Sequence, residues 1–146
     1  VLANAIRIDT DGQATVVKLP DGTADLRSAL RGILGGTPDQ AVYHQRSLLW
    51  VHDNGQREGL VANLTAWTLA SAWRRIPLPY QLYGTVVVTG RDDDGMSTAL
   101  DDDLTSRVQA VTETVQATMA AWQQRPPASE DAALKELLAY AVRDVA

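Results

Sequence analysis

The dipeptide Asp11-Gly12 lies between two stretches that alternate apolar and polar residues, and it constrains this chain more than any other feature. A tight two-residue hairpin turn needs positive φ at its centre, which Gly adopts without strain. Centred there, the turn predicts a β-hairpin over residues 5–19, with Ile6 opposite Val17 and Ile8 opposite Thr15. Alternation then sends Arg7 and Asp9 to the other face.

Further punctuation divides the chain beyond residue 19. Pro20-Asp21-Gly22 predicts a turn, and Thr23 a cap for a helix over 24–34 that buries Leu26, Leu30, Ile33 and Leu34. Gly35-Gly36 ends that helix, and Thr37-Pro38 forbids its continuation. Ala41–Gln45 and Leu48–His52 read as two strands, and Asp53-Asn54-Gly55 as the turn that closes the second. Asn63 predicts the N-cap of a helix over 64–75, with Leu64, Trp67, Ala70 and Trp73 on one buried side. Pro77 and Pro79 force an extended path over 76–80. In the strand Tyr83–Thr89, Val86, Val87 and Val88 leave neither face polar, which predicts a central strand covered on both sides.

After Gly90 the chain turns acidic, and residues 91–103 read as a solvated loop leading to an N-cap at Asp101. Leu104, Val108, Val111, Val115, Met119 and Trp122 then recur at helical spacing. Pro126-Pro127 breaks that helix, and Ser129 caps a second one that reaches about residue 145. The expected architecture is α+β: a mainly antiparallel four- to five-stranded sheet with helices on one face, plus a C-terminal two-helix hairpin. The expected division is a small α+β domain over 1–103 and a helical hairpin over 104–146. Its apolar stripe covers the sheet of its own domain or a second copy, giving a homodimer.

Composition narrows the function classes. The chain has 146 residues and no cysteine, which excludes disulfides and thiolate metal sites. A cytoplasmic location fits that absence. No apolar run approaches the roughly 18 residues of a membrane span. The opening VLANAIRIDTDG, interrupted by Arg7 and Asp9, does not read as a secretory signal. A net charge of −5 argues against non-specific nucleic-acid binding, which needs phosphate neutralisation.

Several short segments stand in a characteristic order. They are "LGG" (34–36), "LLWVHDNGQREGLVAN" (48–63), Ala66, "YGTVVVTG" (83–90) and "ALDDDL" (99–104). In these the chain resembles the family of unknown function numbered 3846, small proteins of phages, plasmids and bacterial genomes, actinobacterial ones included. The resemblance spans about residues 4–104. It departs at Leu64, where members often carry Pro or Arg, and in a longer helical tail. It implies a compact α+β fold and an origin on a mobile genetic element, and it transfers no catalytic residue.

Candidate chemistry is sparse. His44 and His52 are the only histidines, and a metal site would need a third ligand such as Asp53. No Gly-x-Ser-x-Gly elbow supports a nucleophilic serine. Asp92-Asp93-Asp94-Gly95 has the opening of a calcium loop, but its Gly falls fourth and its twelfth residue is Asp103 instead of Glu. No glycine cluster is followed by Lys-Ser/Thr, so no phosphate loop is expected. The residues singled out for ligand binding are Asn63, Trp67, Arg74, Arg75 and Tyr80, and Arg74-Arg75 with Trp73 and Tyr80 form the one basic-aromatic cluster. Each also has a purely structural reading, as an N-cap, a core residue or a helix C-terminal cation.

The expectation is a protein without catalytic residues, metal or cofactor that binds a host protein or a small ligand. The alternatives are a hydrolytic enzyme with a diffuse site near His52 and Asp53, and a nucleic-acid-linked regulator. The latter requires Arg31, Arg46, Arg57, Arg74 and Arg75 to gather on one face.

Overall fold

The structure, a computed structural model, describes residues 2–146. Among these it holds six strands and four helices: β1 (Leu2–Ile8), β2 (Ala14–Pro20), α1 (Thr23–Leu34), β3 (Pro38–His44), β4 (Ser47–His52), α2 (Leu64–Arg74), β5 (Val86–Arg91), β6 (Ser97–Thr98), α3 (Asp102–Trp122) and α4 (Glu130–Val145). The sheet runs β2-β1-β5-β4-β3, with β6 beside β5, and every pair is antiparallel. The fold is α+β, as expected, with one strand more than the sequence predicts.

The first hairpin forms, but one residue out of the predicted register. Asp9 N–H donates to the Gln13 carbonyl at 2.9 Å and Gly12 N–H to the Asp9 carbonyl at 3.0 Å. The connection is therefore a three-residue loop ending in Gly12 at φ 92°, a turn followed by a left-handed glycine bulge. Ile6 faces Val16 and Ile8 faces Ala14. The acidic stretch repeats the device. Asp92 N–H reaches the Met96 carbonyl at 2.9 Å, Gly95 N–H reaches the Asp92 carbonyl at 3.0 Å, and Gly95 sits at φ 80°. The segment expected to be a solvated loop thus carries the short strand β6, hairpinned onto β5.

Both faces of the sheet are covered. Ile6, Ile8, Leu49, Val86 and Val88 pack with α2, α3 and α4. The alternate residues Ala5, Leu19, Leu48, Trp50 and Val87 pack with Leu26, Leu30 and Leu34 of α1. Three helices share one face and α1 takes the other. β5 is the central strand, and all three of its valines are buried. The apolar stripe of α3 and α4 joins the same core through Leu104, Val108, Val111, Val115, Leu137 and Ala141.

Other details depart from expectation. Gly22, not Thr23, occupies the N-cap of α1 and supplies no side-chain bond. β3 starts at Pro38, a residue allowed as the first of an edge strand. Helix α2 is buried all round from Thr65 to Ala72, because it packs on β3 and on both α3 and α4. Met119 stays 46% exposed, and Thr118 is buried in its place, with its hydroxyl satisfied by the Thr114 carbonyl at 2.7 Å.

Candidate functional site

Two prolines keep residues 77–79 out of helix, and α2 fixes their path. Trp67 Nε1–H donates to the Leu78 carbonyl at 3.2 Å, and the Leu78 amide donates to Ser71 Oγ at 3.2 Å. The Tyr80 hydroxyl bonds the Tyr43 hydroxyl at 2.8 Å. Farther on, Asn63 N–H donates to the Leu82 carbonyl at 2.7 Å and Tyr83 bridges Ala62. This rigid strip faces the first turns of α4, whose Ser129 cap accepts from Ala132 N–H at 3.1 Å.

A cleft of about 630 Å³ separates strip and helix. Fully buried Trp67 lies beneath it, with Pro77, Leu78 and Leu134 as apolar wall. Tyr80, Gln81, Glu130, Asp131 and Lys135 supply its polar groups. Lys135 is paired with Asp131 at 2.9 Å. Glu130 has no ion-pair partner among the described residues, so the rim carries one uncompensated negative charge. Gln81 Oε1 is shielded from solvent without a hydrogen-bond donor. Burial, and then the bond to Tyr80, pushes the Tyr43 hydroxyl up, which keeps it neutral.

Of the five residues singled out in the sequence, the structure brings Trp67 and Tyr80 to this cleft. Asn63 is 1% exposed and its amide is fully engaged. Oδ1 accepts from Ala66 N–H at 3.0 Å, and Nδ2 donates to the Ile8 and Gly84 carbonyls, both at 3.0 Å. Arg74 turns to the sheet edge, donating to the Val42 carbonyl at 2.7 Å with its guanidinium 5.7 Å from the Tyr43 ring centre. Arg75 adopts the left-handed C-cap conformation at φ 60°. The missed residues Gln81, Glu130, Asp131 and Lys135 have ordinary local patterns. Only the return of α4 across α2 makes them neighbours of Trp67.

The histidines do not converge. His44 lies next to the β3–β4 turn, where its ring meets Trp73 at 5.2 Å on the α2 side. His52 lies at the other end of that hairpin, opposite Pro38, with its ring against Gly36 on the α1 side. A shared two-histidine site is thereby eliminated. Both Nδ1 atoms accept backbone amides, from Arg46 at 3.0 Å and Asn54 at 2.9 Å. Burial and then Arg46 push the His44 imidazole down. Asp39, His52 and Asp53 do line a depression of about 380 Å³, but the His52 ring is packed within it and its Nδ1 is occupied. The Asp92 carboxylate accepts from the Asp94 and Met96 amides at 2.9 Å, so the turn itself accounts for it.

The arginines are dispersed. Arg46 binds Asp101 at 2.9 Å and Asp103 at 3.6 Å, tying the β3–β4 turn to the start of α3, while Arg31 lies on α1 across the sheet.

The model of a domain of unknown function, DUF3846, matches residues 3–115. The chain belongs to that family. No curated protein and no solved structure gives a significant match. In this DUF3846 member the segments that carried the resemblance have structural tasks. Gly36 makes room for His52, Asn63 ties three elements, and Leu60 covers Gly84 at φ 79°. A side chain at Gly90 would strike the Ala99 carbonyl. The family match ends inside α3, so the rim residues of the cleft on α4 lie outside it.

Proposed function

We propose that the protein is a non-catalytic binding module whose ligand seats in the cleft between the Pro77–Tyr83 strip and α4. The observation that carries this reading is the lining of that cleft: an apolar wall of Pro77, Leu78 and Leu134 beside Tyr80, under a rim where Glu130 has no ion-pair partner among the described residues. Ligand sites commonly join such a wall to a few placed polar groups. The rim favours a ligand that donates hydrogen bonds from a cationic head and lays an apolar body on Tyr80 and Leu134. A basic side chain of a host protein has that chemistry, as does a free amine. A host partner also suits the mobile-element setting that the family resemblance implies. Polar side chains elsewhere, among them Asn63 and both histidines, are held by internal bonds, which argues against bond-breaking chemistry.

Titration followed by amide and indole NMR tests the reading. Acetyl-arginine amide, spermidine, an arginine-bearing peptide and ATP serve as ligands. The cationic ligands are expected to shift the Trp67 indole N–H and the amides of Tyr80 and Gln81, and Glu130→Lys to remove the effect. Response to the peptide alone assigns a protein-borne ligand, and response to spermidine a free amine. No shift with any cation, or equal shifts with ATP, overturns the proposal, as would turnover of a substrate that depends on His52 or Asp53.

A further inference from the structure

The two edges of the sheet are finished differently. On β3 the ladder is broken by a bulge between Ala41 and His44, the first residue is Pro38, and Arg74 caps the Val42 carbonyl. These are the devices by which edge strands avoid further pairing. On β2, seven residues run in unbroken register with β1. Its hydrogen-bonding parity is set by the turn. The bonded pair Asp9 and Gln13 makes Arg7 and Thr15, Ala5 and Val17, and Ala3 and Leu19 the bonded pairs of the ladder. The N–H and C=O groups of Ala14, Val16 and Lys18 therefore point away from the sheet. Among the described residues, no loop or side chain bonds them. Val16 is 47% exposed beside them.

We infer that the β2 edge is the interface for a second copy of this chain, paired antiparallel about a two-fold axis at Val16. In that register Val16 faces Val16 of the other copy, and Ala14 faces Lys18 in both directions. All outward donors and acceptors of these three residues are then matched. The one charged residue of the strand meets Ala, so no like charges oppose. The two exposed Val16 side chains pack across the axis. Other registers leave outward groups unmatched. The blunted β3 edge stops growth at two copies, because an isologous contact closes whereas joining β2 to β3 would build an open fibre. The apolar stripe of α3 and α4 is already buried on the chain's own sheet, so it does not compete with the β2 edge as a contact surface.

Light scattering coupled to size exclusion, over a hundredfold range of concentration, tests this together with amide hydrogen exchange. The expected result is a concentration-dependent mass approaching twice that of one chain. In the same range the amides of Ala14, Val16 and Lys18 gain protection, while Thr15, Val17 and Leu19 are protected throughout. Val16→Lys sets two ammonium groups face to face on the axis and is expected to restore the monomer mass. Val42→Lys on the other edge is expected to leave the dimer intact. A monomer at every concentration, a dimer that survives Val16→Lys, or protection that does not alternate along β2 overturns the inference. If Val16→Lys fails to fold, the exchange pattern of the native chain alone decides.

Discussion

A Cβ atom added to Gly36 would lie 2.2 Å from Nε2 of His52. The glycine after helix α1 and the histidine closing β4 are thus one packing unit, and its backbone end is the Asn54 amide on His52 Nδ1. Gly35 beside it is different, being required by its left-handed φ of 78°. Gly36→Ala is expected to cost about 1–3 kcal/mol, the range for overpacking a filled site. The cost should shrink by at least half in a His52→Ala background, since the clash partner is then gone. Urea unfolding of the two single variants and the double variant measures the coupling.

Asn63 joins β1, the strip before β5 and α2 through one side chain, which makes its chemistry unusually restrictive. Asn63→Ala loses a helix cap, about 1 kcal/mol, and strands the buried Ile8 and Gly84 carbonyls, roughly 1–3 kcal/mol more. Asp is ordinarily as good an N-cap as Asn. Here it would place a carboxylate against two carbonyl oxygens, so Asn63→Asp is expected to destabilise at least as much as Asn63→Ala. An Asp variant as stable as the native chain would show that those carbonyls find other donors.

Gly32 and Gly90 should respond in opposite senses to the same change. Gly32 lies in α1, exposed, with no atom within 4 Å of an added Cβ. Gly32→Ala is expected to stabilise the chain by about 0.5–1 kcal/mol, through a smaller loss of backbone freedom on folding. At Gly90 the added Cβ would stand 2.2 Å from the Ala99 carbonyl oxygen, a backbone atom that cannot swing aside. Gly90→Ala is expected to destabilise, by pushing the backbone after β6 off β5. Paired thermal melts of the two variants read the contrast directly.

The sequence announces most of this framework and little of the cleft, for a physical reason. Turn glycines, caps and periodicity are local signals, and Gly35, Asn63, Asp101 and Ser129 act where their patterns place them. The register at Asp11-Gly12 differs by one residue because the same dipeptide serves a two-residue turn and a three-residue loop with a glycine bulge. The all-round burial of α2 is hidden in the sequence because it is set by α3 and α4, which return from later in the chain. The cleft depends on that same return: Trp67 is legible as a candidate, whereas Glu130 and Lys135 become its neighbours only through tertiary packing.

His44 gives the chain a pH response that can be separated from that of its carboxylates. Arg46, Asp101 and Arg107 face the imidazole together with the Trp73 ring, and burial dominates in pushing its pKa below the ordinary 6.5. A group with a depressed folded pKa binds more protons when unfolded, so its stability contribution is present above about pH 6.5 and is lost as pH falls through the folded value. Asp103 and Glu136 are depressed too, chiefly by hydrogen bonds from Arg107 and Arg125, but their losses centre on and below their ordinary values of 3.8 and 4.5 and are small above about pH 5. Between about pH 7 and pH 5 the decline should therefore belong to His44 and not to these carboxylates. His44→Gln, which keeps an acceptor for the Arg46 amide, is expected to flatten the urea midpoint across that interval and leave the acid limb below it unchanged. A decline of equal steepness in native and variant chains would assign the effect to another group.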